Sequence, residues 1–311
     1  MMVPDAPADR SGASGSRSTS LGLVLSLRPG QWTKNLLVFA PLLFAVKLFD
    51  LPSVGRAGAG FAVFCALSSV VYLLNDVMDR EGDRQHPLKR RRPIAAGDVP
   101  VGVALATAAM IATVALASAF ALGWRFGAVA AFYVILQTLY STTLKHIVIL
   151  DVLTLAIGFV LRAIAGAVVI DVVTSHWLFV CTILLALFIA LAKRRHELVL
   201  LADGAASHRP ILHEYSAYLL DQMIAVVTAS TLIAYIFYTI SPETEQKFGT
   251  SWLGLTIPFP LYGIFRYLYL VHQREGGGSP SDLLLNDRPL LACVTLWVVA
   301  VVLIVYHPFV P

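Results

Sequence analysis

Long apolar segments separated by short polar ones dominate the chain after about its first 30 residues. A helix needs about 20 mostly apolar residues to cross a hydrocarbon core that is about 30 Å thick. Several of these segments are close to the minimum length. The pattern predicts an all-α integral membrane protein with nine transmembrane helices, at residues 34–50, 57–75, 99–122, 126–144, 148–170, 175–192, 216–240, 252–271 and 289–307.

The composition agrees with a membrane location. Hydrophobic residues make up 58% of the 311 residues and charged residues 14%, whereas a soluble domain averages about 25% charged residues. The first 20 residues are rich in Ser, Gly, Ala and Pro and contain no apolar stretch typical of a signal peptide. We predict a disordered tail over residues 1–25 and a single transmembrane domain over residues 26–311.

The distribution of positive charge indicates an orientation. Of the 23 lysines and arginines, two lie within predicted spans. Most of the others fall on the side of the N-terminus, and the opposite side has Lys47, Arg56, Arg125 and Lys247. Cytoplasmic loops carry an excess of Lys and Arg, so the N-terminus is expected to be cytoplasmic. Almost all the unusual polar residues lie on the same side, where we expect the active site.

An acidic cluster closes the second predicted span, at Asn75, Asp76, Asp79 and Asp83. On a continuous helix the three aspartates would lie within an arc of roughly 60°. Like charges on one face repel one another unless a cation joins them. Carboxylate and amide oxygens suit Mg²⁺, which usually keeps water and substrate phosphates as further ligands. We interpret the cluster as a magnesium site, the simpler alternative being a solvated helix end.

Cations follow directly after the acidic cluster. Residues 86–93 read His-Pro-Leu-Lys-Arg-Arg-Arg-Pro, and Lys89 and Arg92 are the candidates for phosphate contact. The run also fits a topology signal that attracts anionic lipid. A second candidate pair, Tyr140 and Lys145, lies at the short turn before the fifth span, where an aromatic belt and a topology charge are the alternatives.

Ionisable residues also lie within or at the ends of other spans. Asp151 and Arg162 are expected to share one face of the fifth span, and buried ionisable groups there are functional candidates. The alternative for Arg162 is a structural salt bridge with another span. Lys193, Arg194 and Glu197 end the sixth span, and Lys34 begins the first. Each of these can reach a phosphate at headgroup level or serve only to set topology.

These residues resemble a known family. The pattern Asn75-Asp76-x-x-Asp79-x-x-x-Asp83 is similar to the first motif of the UbiA superfamily of intramembrane prenyltransferases. A closer likeness, to members that transfer phosphoribose to decaprenyl phosphate in cell-wall precursor synthesis, rests on several further segments. They are Arg28-Pro29-x-Gln31-Trp32-x-Lys34-Asn35, His86-Pro87-x-Lys89-x-x-Arg92-Pro93, Tyr140-Ser141-x-x-Leu144-Lys145, Leu161-Arg162-Ala163 and Lys193-Arg194-x-x-Glu197.

One departure from the family pattern bears on the substrate. Superfamily members with aromatic substrates carry a second acidic motif, Asp-x-x-x-Asp, for another magnesium. Here Asp151 is followed four residues later by Leu155. The resemblance therefore implies a donor that needs one acidic motif, phosphoribosyl pyrophosphate, and a polyprenyl phosphate acceptor in the bacterial cytoplasmic membrane.

The resemblance also implies roles for the candidates. Asn75, Asp76, Asp79 and Asp83 would hold Mg²⁺ on the pyrophosphate, and Lys89, Arg92, Tyr140 and Lys145 would hold donor phosphates. Lys193 and Arg194 would contact the 5-phosphate or the ribose, with Glu197 orienting them. Lys34 and Arg162 are the candidates for the acceptor phosphate.

Two other functions remain open at the level of sequence. One is an aromatic or quinone-precursor prenyltransferase that uses a prenyl diphosphate donor. The other is a transporter, which the one-sided charge clusters disfavour. No nucleic-acid partner is expected. The sequence does not decide between a monomer and a homo-oligomer, nor does it give the length of the lipid chain.

Overall fold

The computed structural model describes residues 18–85, 89–173, 176–202, 210–274 and 280–306. Within these ranges the chain forms helices and turns, with no strand, so the predicted all-α class is confirmed. Residues 1–17 of the predicted tail, and the motif residues His86 and Pro87, lie outside the described ranges.

The α-helices, in chain order, are α1 (Thr19–Ser26), α2 (Ala40–Phe44), α3 (Leu51–Met78), α4 (Arg80–Gln85), α5 (Pro93–Ala96), α6 (Val101–Leu122), α7 (Trp124–Thr142), α8 (Leu150–Val169), α9 (His176–Ala202), α10 (Ala217–Ile240), α11 (Pro242–Phe248), α12 (Pro258–Gln273), α13 (Pro280–Asn286) and α14 (Arg288–Tyr306). Short 3₁₀ helices connect them at Pro29–Phe39, Lys89–Arg91, Leu144–His146, Pro210–Glu214 and Trp252–Thr256.

Six of the described helices are long and apolar enough to cross a membrane. They are Leu51–Met78, Val101–Leu122, Leu150–Val169, His176–Val199, Ala217–Ile240 and Arg288–Tyr306. The other three predicted spans are also helical, but their helices are shorter or more polar. The span expected at 252–271, for example, is divided between a 3₁₀ turn and the 16 residues of α12. At 1.5 Å per residue α12 extends about 24 Å, less than a typical hydrocarbon core. Nine spans therefore remain a prediction.

The N-terminal tail becomes ordered earlier than the sequence suggested. We predicted disorder up to residue 25, whereas α1 begins at Thr19 and Ser18 caps it by accepting a hydrogen bond from the Leu21 amide. The helix packs closely on the segment after α5, where a Cβ at Gly22 would lie 2.8 Å from a methyl group of Val99. This packing provides the burial that the composition alone did not reveal.

The two largest of four apolar clusters among the described residues lie in different parts of the bundle. One joins α3, α6, α7 and α8, and the ring of Phe64 lies 5.1 Å from that of Tyr133 and 6.0 Å from that of Phe126. At its edge α8 approaches the 3₁₀ helix Pro29–Phe39 so closely that a Cβ at Gly166 would overlap the carbonyl of Val38. The other cluster joins the start of α8 to α9, α10, α12 and α14. The candidate polar residues lie mainly at the ends of these helices.

Candidate functional site

The acidic motif lies where one helix ends and another begins. Helix α3 stops at Met78, and Asp79 leaves the helical conformation with φ −86° and ψ 4°. The chain turns helical again at α4, whose Asp83 amide donates to the Asp79 carbonyl at 2.8 Å. The helix that was assumed to be continuous is therefore interrupted at Asp79. Asp76 and Asp83 share Arg92 and Asp79 pairs with Lys145, and these cations offset the repulsion among the three carboxylates.

Arg92 joins the two buried aspartates of the motif. Its Nη1 lies 3.1 Å from Asp76 Oδ1 and 2.6 Å from Asp83 Oδ2. Buried carboxylates need such partners, because an unpaired charge in a protein interior is costly. Arg92 can reach both because it lies between the 3₁₀ turn at Lys89–Arg91 and α5. The structure thus brings Arg92 to the acidic motif, while its contact with a phosphate stays a prediction.

Arg28 completes this cluster, and the sequence analysis gave it no role. Its Nη2 donates to Asp76 Oδ1, the oxygen that Arg92 also contacts. The guanidinium stacks over the ring of Tyr72 at 4.9 Å. Its backbone adopts a positive φ of 54°, uncommon for a residue other than glycine. The sequence did offer a signal for Arg28, because this residue is a cation at the start of the motif segment that contains Lys34.

Lys145 connects the acidic motif to the turn before α8. Its Nζ lies 3.0 Å from Asp79 Oδ1, and the other oxygen of Asp79 accepts a hydrogen bond from Asn75 Nδ2 at 3.1 Å. Two segments 66 residues apart in the sequence therefore meet at one carboxylate. We predicted that the acidic motif and Lys145 would both contact the donor, and in the structure they lie next to each other.

A second charged network centres on Arg194, whose side chain is buried. Its Nε donates to Asp151 Oδ2 at 2.7 Å, its Nη1 to Glu197 Oε2 at 2.7 Å and its Nη2 to the hydroxyl of Tyr140 at 3.2 Å. The side chains of Arg194 and Asp151 are 1% and 0% exposed. The other oxygen of Asp151 accepts a hydrogen bond from Tyr215 at 2.8 Å. Four residues that the sequence analysis singled out, Tyr140, Asp151, Arg194 and Glu197, thus meet in one network. Tyr215 also belongs to this network, and the sequence analysis gave it no role.

The three lysine candidates other than Lys145 are more exposed than Arg194. Lys193 Nζ lies 3.9 Å from Glu197 Oε1, which places it at the outer edge of the Arg194 network. Lys89 and Lys34 are half-buried, Lys89 beginning the turn that leads to Arg92 and Lys34 lying in the 3₁₀ helix that follows Arg28. Neither geometry tests the predicted phosphate contacts.

Arg162 is a packing residue in this structure. It is buried, and it donates to Asn35 Oδ1 at 2.7 Å, to the Gly158 carbonyl at 2.7 Å and to the Tyr133 hydroxyl at 2.8 Å. These acceptors are neutral, so the contact is not the salt bridge considered as an alternative. The arrangement favours a role in joining α7, α8 and the 3₁₀ helix Pro29–Phe39 over the predicted phosphate contact, because its three nitrogens are already engaged.

With this geometry in view, the chain can be compared with known proteins. Residues 35–286 match the UbiA prenyltransferase family. The chain belongs to this family. It is 35% identical over 290 residues to a decaprenyl-phosphate phosphoribosyltransferase from Mycolicibacterium smegmatis, covering 89% of this chain and 90% of that protein. A decaprenyl-phosphate phosphoribosyltransferase from Corynebacterium glutamicum is 32% identical over 290 residues, covering 92% and 87%.

The fold agrees with the UbiA family. The solved structure of a UbiA homologue from Archaeoglobus fulgidus bound to GPP and Mg²⁺ has a TM-score of 0.69. The likeness covers 92% of this chain and 99% of that chain at 18% identity, so it shows the fold. The expectation of a UbiA-like helical membrane protein is confirmed.

The donor set of the UbiA motif suits a divalent metal. In the part of the chain that the structure describes, no three or more His, Cys, Asp or Glu residues are grouped to hold a metal ion. Asp76, Asp79 and Asp83 instead contact cations. Their oxygens, with that of Asn75, nevertheless fit Mg²⁺, which needs only one or two carboxylates when substrate phosphates supply the other ligands.

Proposed function

We propose that this UbiA family member transfers 5-phosphoribose from phosphoribosyl pyrophosphate to a polyprenyl phosphate of the decaprenyl type and releases pyrophosphate. Relatives with that activity in their names align over about nine-tenths of the chain. One observation carries the choice of donor. Asp151, the acid that follows Lys145, is buried and engaged by Arg194 and Tyr215, so the acidic motif at Asn75 to Asp83 is the one that remains for a metal.

Asn75, Asp76, Asp79 and Asp83 would hold Mg²⁺ together with the pyrophosphate of the donor. Mg²⁺ supplies neutralisation of the charge that develops on the leaving pyrophosphate. Arg92 and Lys145 already contact these carboxylates, and their side chains are 27% and 18% exposed. With a metal held by these carboxylates, Arg92 and Lys145 would be available to contact donor phosphates.

The other candidates would bind the remaining parts of the two substrates. Lys89 and Tyr140 would assist Lys145 and Arg92 on the pyrophosphate. Lys193, at the exposed edge of the Arg194 network, would contact the 5-phosphate or the ribose, while Arg194 and Glu197 hold the surface behind it. Lys34 is the candidate for the acceptor phosphate. Arg162 would support it by holding the neighbouring residue Asn35 in place.

The chemical step needs positioning more than proton transfer. The bond between ribose C1 and the pyrophosphate oxygen breaks as C1 gains oxocarbenium character. An oxygen of the lipid phosphate then forms the new bond to C1 from the opposite face. The lipid phosphate is already anionic at neutral pH, so no general base is required. Catalysis would rest on holding the reactants in line and on fixed positive charge around the leaving group.

The membrane arrangement follows from the charge distribution. We propose nine membrane-crossing segments with a cytoplasmic N-terminus, in a bacterial cytoplasmic membrane, and an active site at the cytoplasmic face. The acidic motif and the Arg194 network both lie near helix ends on the side with excess Lys and Arg. The polyprenyl tail would occupy an apolar groove open to the lipid.

The experiment is a donor comparison with purified protein in detergent, Mg²⁺ and a polyprenyl phosphate. One reaction contains labelled phosphoribosyl pyrophosphate, and the other contains labelled prenyl diphosphate with an aromatic acid. We expect label from phosphoribosyl pyrophosphate to enter the lipid phase, with equimolar pyrophosphate released and with complete loss in EDTA. Transfer from prenyl diphosphate alone would instead establish an aromatic prenyltransferase and refute the proposal.

A further inference from the structure

Tyr215 lies at the junction of two segments that the proposed function uses. It follows the 3₁₀ helix Pro210–Glu214 and is 4% exposed in the apolar cluster around α9 and α10. Its hydroxyl accepts a hydrogen bond from the backbone amide of Ile149 at 2.8 Å and donates one to Asp151 Oδ1 at 2.8 Å. A single hydroxyl therefore binds both the backbone and a side chain of the segment entering α8.

The backbone contact holds a strained turn. Ile149 has φ 68° and ψ −42°, a positive φ that is costly for a β-branched residue. Such a conformation persists where surrounding contacts enforce it. The turn separates Leu144–His146 from α8, so its geometry sets the position of Lys145, whose Nζ contacts Asp79.

The side-chain contact holds Arg194. Tyr215 engages one oxygen of Asp151, and the second oxygen accepts from Arg194 Nε at 2.7 Å. The guanidinium then orients two residues at its other edges, Tyr140 and Glu197. Since both oxygens of Asp151 face proton donors and its side chain is 0% exposed, this carboxylate is engaged within the protein.

We propose that Tyr215 is a positioning residue of the donor site, because its hydroxyl fixes the turn that carries Lys145 and, through Asp151, the guanidinium of Arg194. The inference rests on the proposed function for the identity of the donor. It gives Asp151 a positioning role within the protein.

The protonation of Tyr215 supports this arrangement. Burial raises the pKa of the Tyr215 hydroxyl to about 12, so the group keeps its proton across the physiological range. Only a hydroxyl can accept from the Ile149 amide while donating to the Asp151 carboxylate. Phenylalanine preserves the packing of the ring and loses both contacts.

The chain provides a matched control for the substitution Tyr215→Phe. Tyr267 lies in the same apolar cluster and is 6% exposed, and its hydroxyl has no hydrogen-bond partner among the described residues. Tyr267→Phe therefore removes the same atom from a similar environment without removing a contact. The difference between the two variants isolates the hydrogen bonds from the loss of a buried hydroxyl.

The experiment compares both variants of the full-length protein in steady-state kinetics, varying donor and acceptor separately. For Tyr215→Phe we expect the KM for phosphoribosyl pyrophosphate to rise roughly tenfold, with the KM for the lipid within about twofold of wild type. Tyr267→Phe should stay within about twofold in both. A purely structural role would lower the active fraction and the Tm while leaving both KM values unchanged, and that result would overturn the proposal.

A second variant, Asp151→Asn, tests the inference if Tyr215→Phe does not fold. Equilibrium binding of labelled phosphoribosyl pyrophosphate, without lipid acceptor, should weaken at least tenfold, while the Mg²⁺ concentration for half-maximal binding stays at the wild-type value. The double variant Tyr215→Phe/Asp151→Asn should weaken binding by less than the product of the two single effects, because both single variants disturb the hydrogen bond between Tyr215 and Asp151. A higher Mg²⁺ requirement, or additive effects, would contradict the positioning role.

The wild-type protein separates failure of this inference from failure of the proposed function. If wild type transfers from prenyl diphosphate only, the proposed function is wrong, and the same pair of tyrosine variants is then measured with that donor. A selective rise in the donor KM for Tyr215→Phe would uphold the positioning role in that case. Equal behaviour of the two variants would overturn it.

Discussion

The acidic motif and the Arg194 network use the same pairing of carboxylate with cation, but they differ in their access to solvent. Arg28, Arg92 and Lys145 retain side-chain exposures of 26%, 27% and 18%, whereas Arg194 and Asp151 retain 1% and 0%. A cation that reaches solvent can leave its carboxylate more easily than a buried one, while breaking a pair in which both partners are buried leaves an unpaired charge in the interior. The comparison separates residues that can bind substrate from residues that hold them in place.

The largest effect is expected from the acidic motif. Asp79→Ala should reduce turnover on the order of a thousandfold, because it removes a ligand of the metal–pyrophosphate. The Tm should hardly change, since the Asp79 side chain is 37% exposed. Transfer of labelled phosphoribose and thermal unfolding in detergent measure the two quantities.

Glu81 provides the control for Asp79. It is an acid two residues away whose side chain is 75% exposed and pairs with Arg84 rather than with the acidic motif. Glu81→Ala should retain wild-type turnover. Full activity of Asp79→Ala at limiting Mg²⁺ would remove Asp79 from the metal site.

The buried side should respond in stability. Arg194→Met removes the partner of a fully buried carboxylate and should destabilise the protein by about 3–5 kcal/mol. Arg92→Met should lower the Tm less, because Arg92 is partly exposed and Arg28 also contacts Asp76, so the loss is mainly that of the contact with Asp83. Equal shifts of Tm in the two variants would mean that burial does not distinguish the two networks.

A smaller effect tests which cations of the basic run reach phosphate. Arg92→Gln should raise the KM for phosphoribosyl pyrophosphate roughly 10- to 30-fold, through loss of a charge-assisted contact. Arg90 lies two residues earlier and is exposed, so Arg90→Gln should leave the KM unchanged. If both substitutions weaken donor binding equally, the run acts as a general field and not through Arg92.

The smallest effect is expected at the pair formed by Arg266 and Asp287. The hydrogen bond from Arg266 lowers the pKa of Asp287 below its usual value. A lowered pKa in the folded state adds stability above about pH 4, and this contribution is lost as the pH falls through the folded pKa. Asp287→Asn should therefore lower the Tm slightly at pH 7 and flatten its decline in acid by a matching amount. An unchanged acid profile would contradict this assignment.

The sequence predicted the helical segments well because each apolar stretch is a local signal. It predicted the residues of the acidic motif for the same reason, but not their partners. The continuous helix assumed for Asp76, Asp79 and Asp83 ends at Asp79, where tertiary pairing with Lys145 competes with helix continuation. The order at Thr19–Ser26 likewise depends on packing against Val99, which composition cannot show.

The missed residues have partners far away in the sequence. Arg28 contacts a carboxylate 48 residues later, and Tyr215 contacts one 64 residues earlier. Arg194 was predicted to end the sixth span, whereas its helix continues to Ala202, and its burial could only be known from the fold. A charged residue near a membrane surface can serve a ligand or the scaffold, and its partners decide between the two.

The most direct test is a structure of the protein with Mg²⁺ and a non-hydrolysable analogue of phosphoribosyl pyrophosphate. The account predicts Mg²⁺ on Asp76, Asp79 or Asp83, with Arg92 and Lys145 turned from the carboxylates to the phosphates. The pair between Arg194 and Asp151 should remain as it is here, with its nitrogen and oxygen 2.7 Å apart. A metal bound at Asp151, or Arg194 released to contact a phosphate, would contradict the division between the two networks.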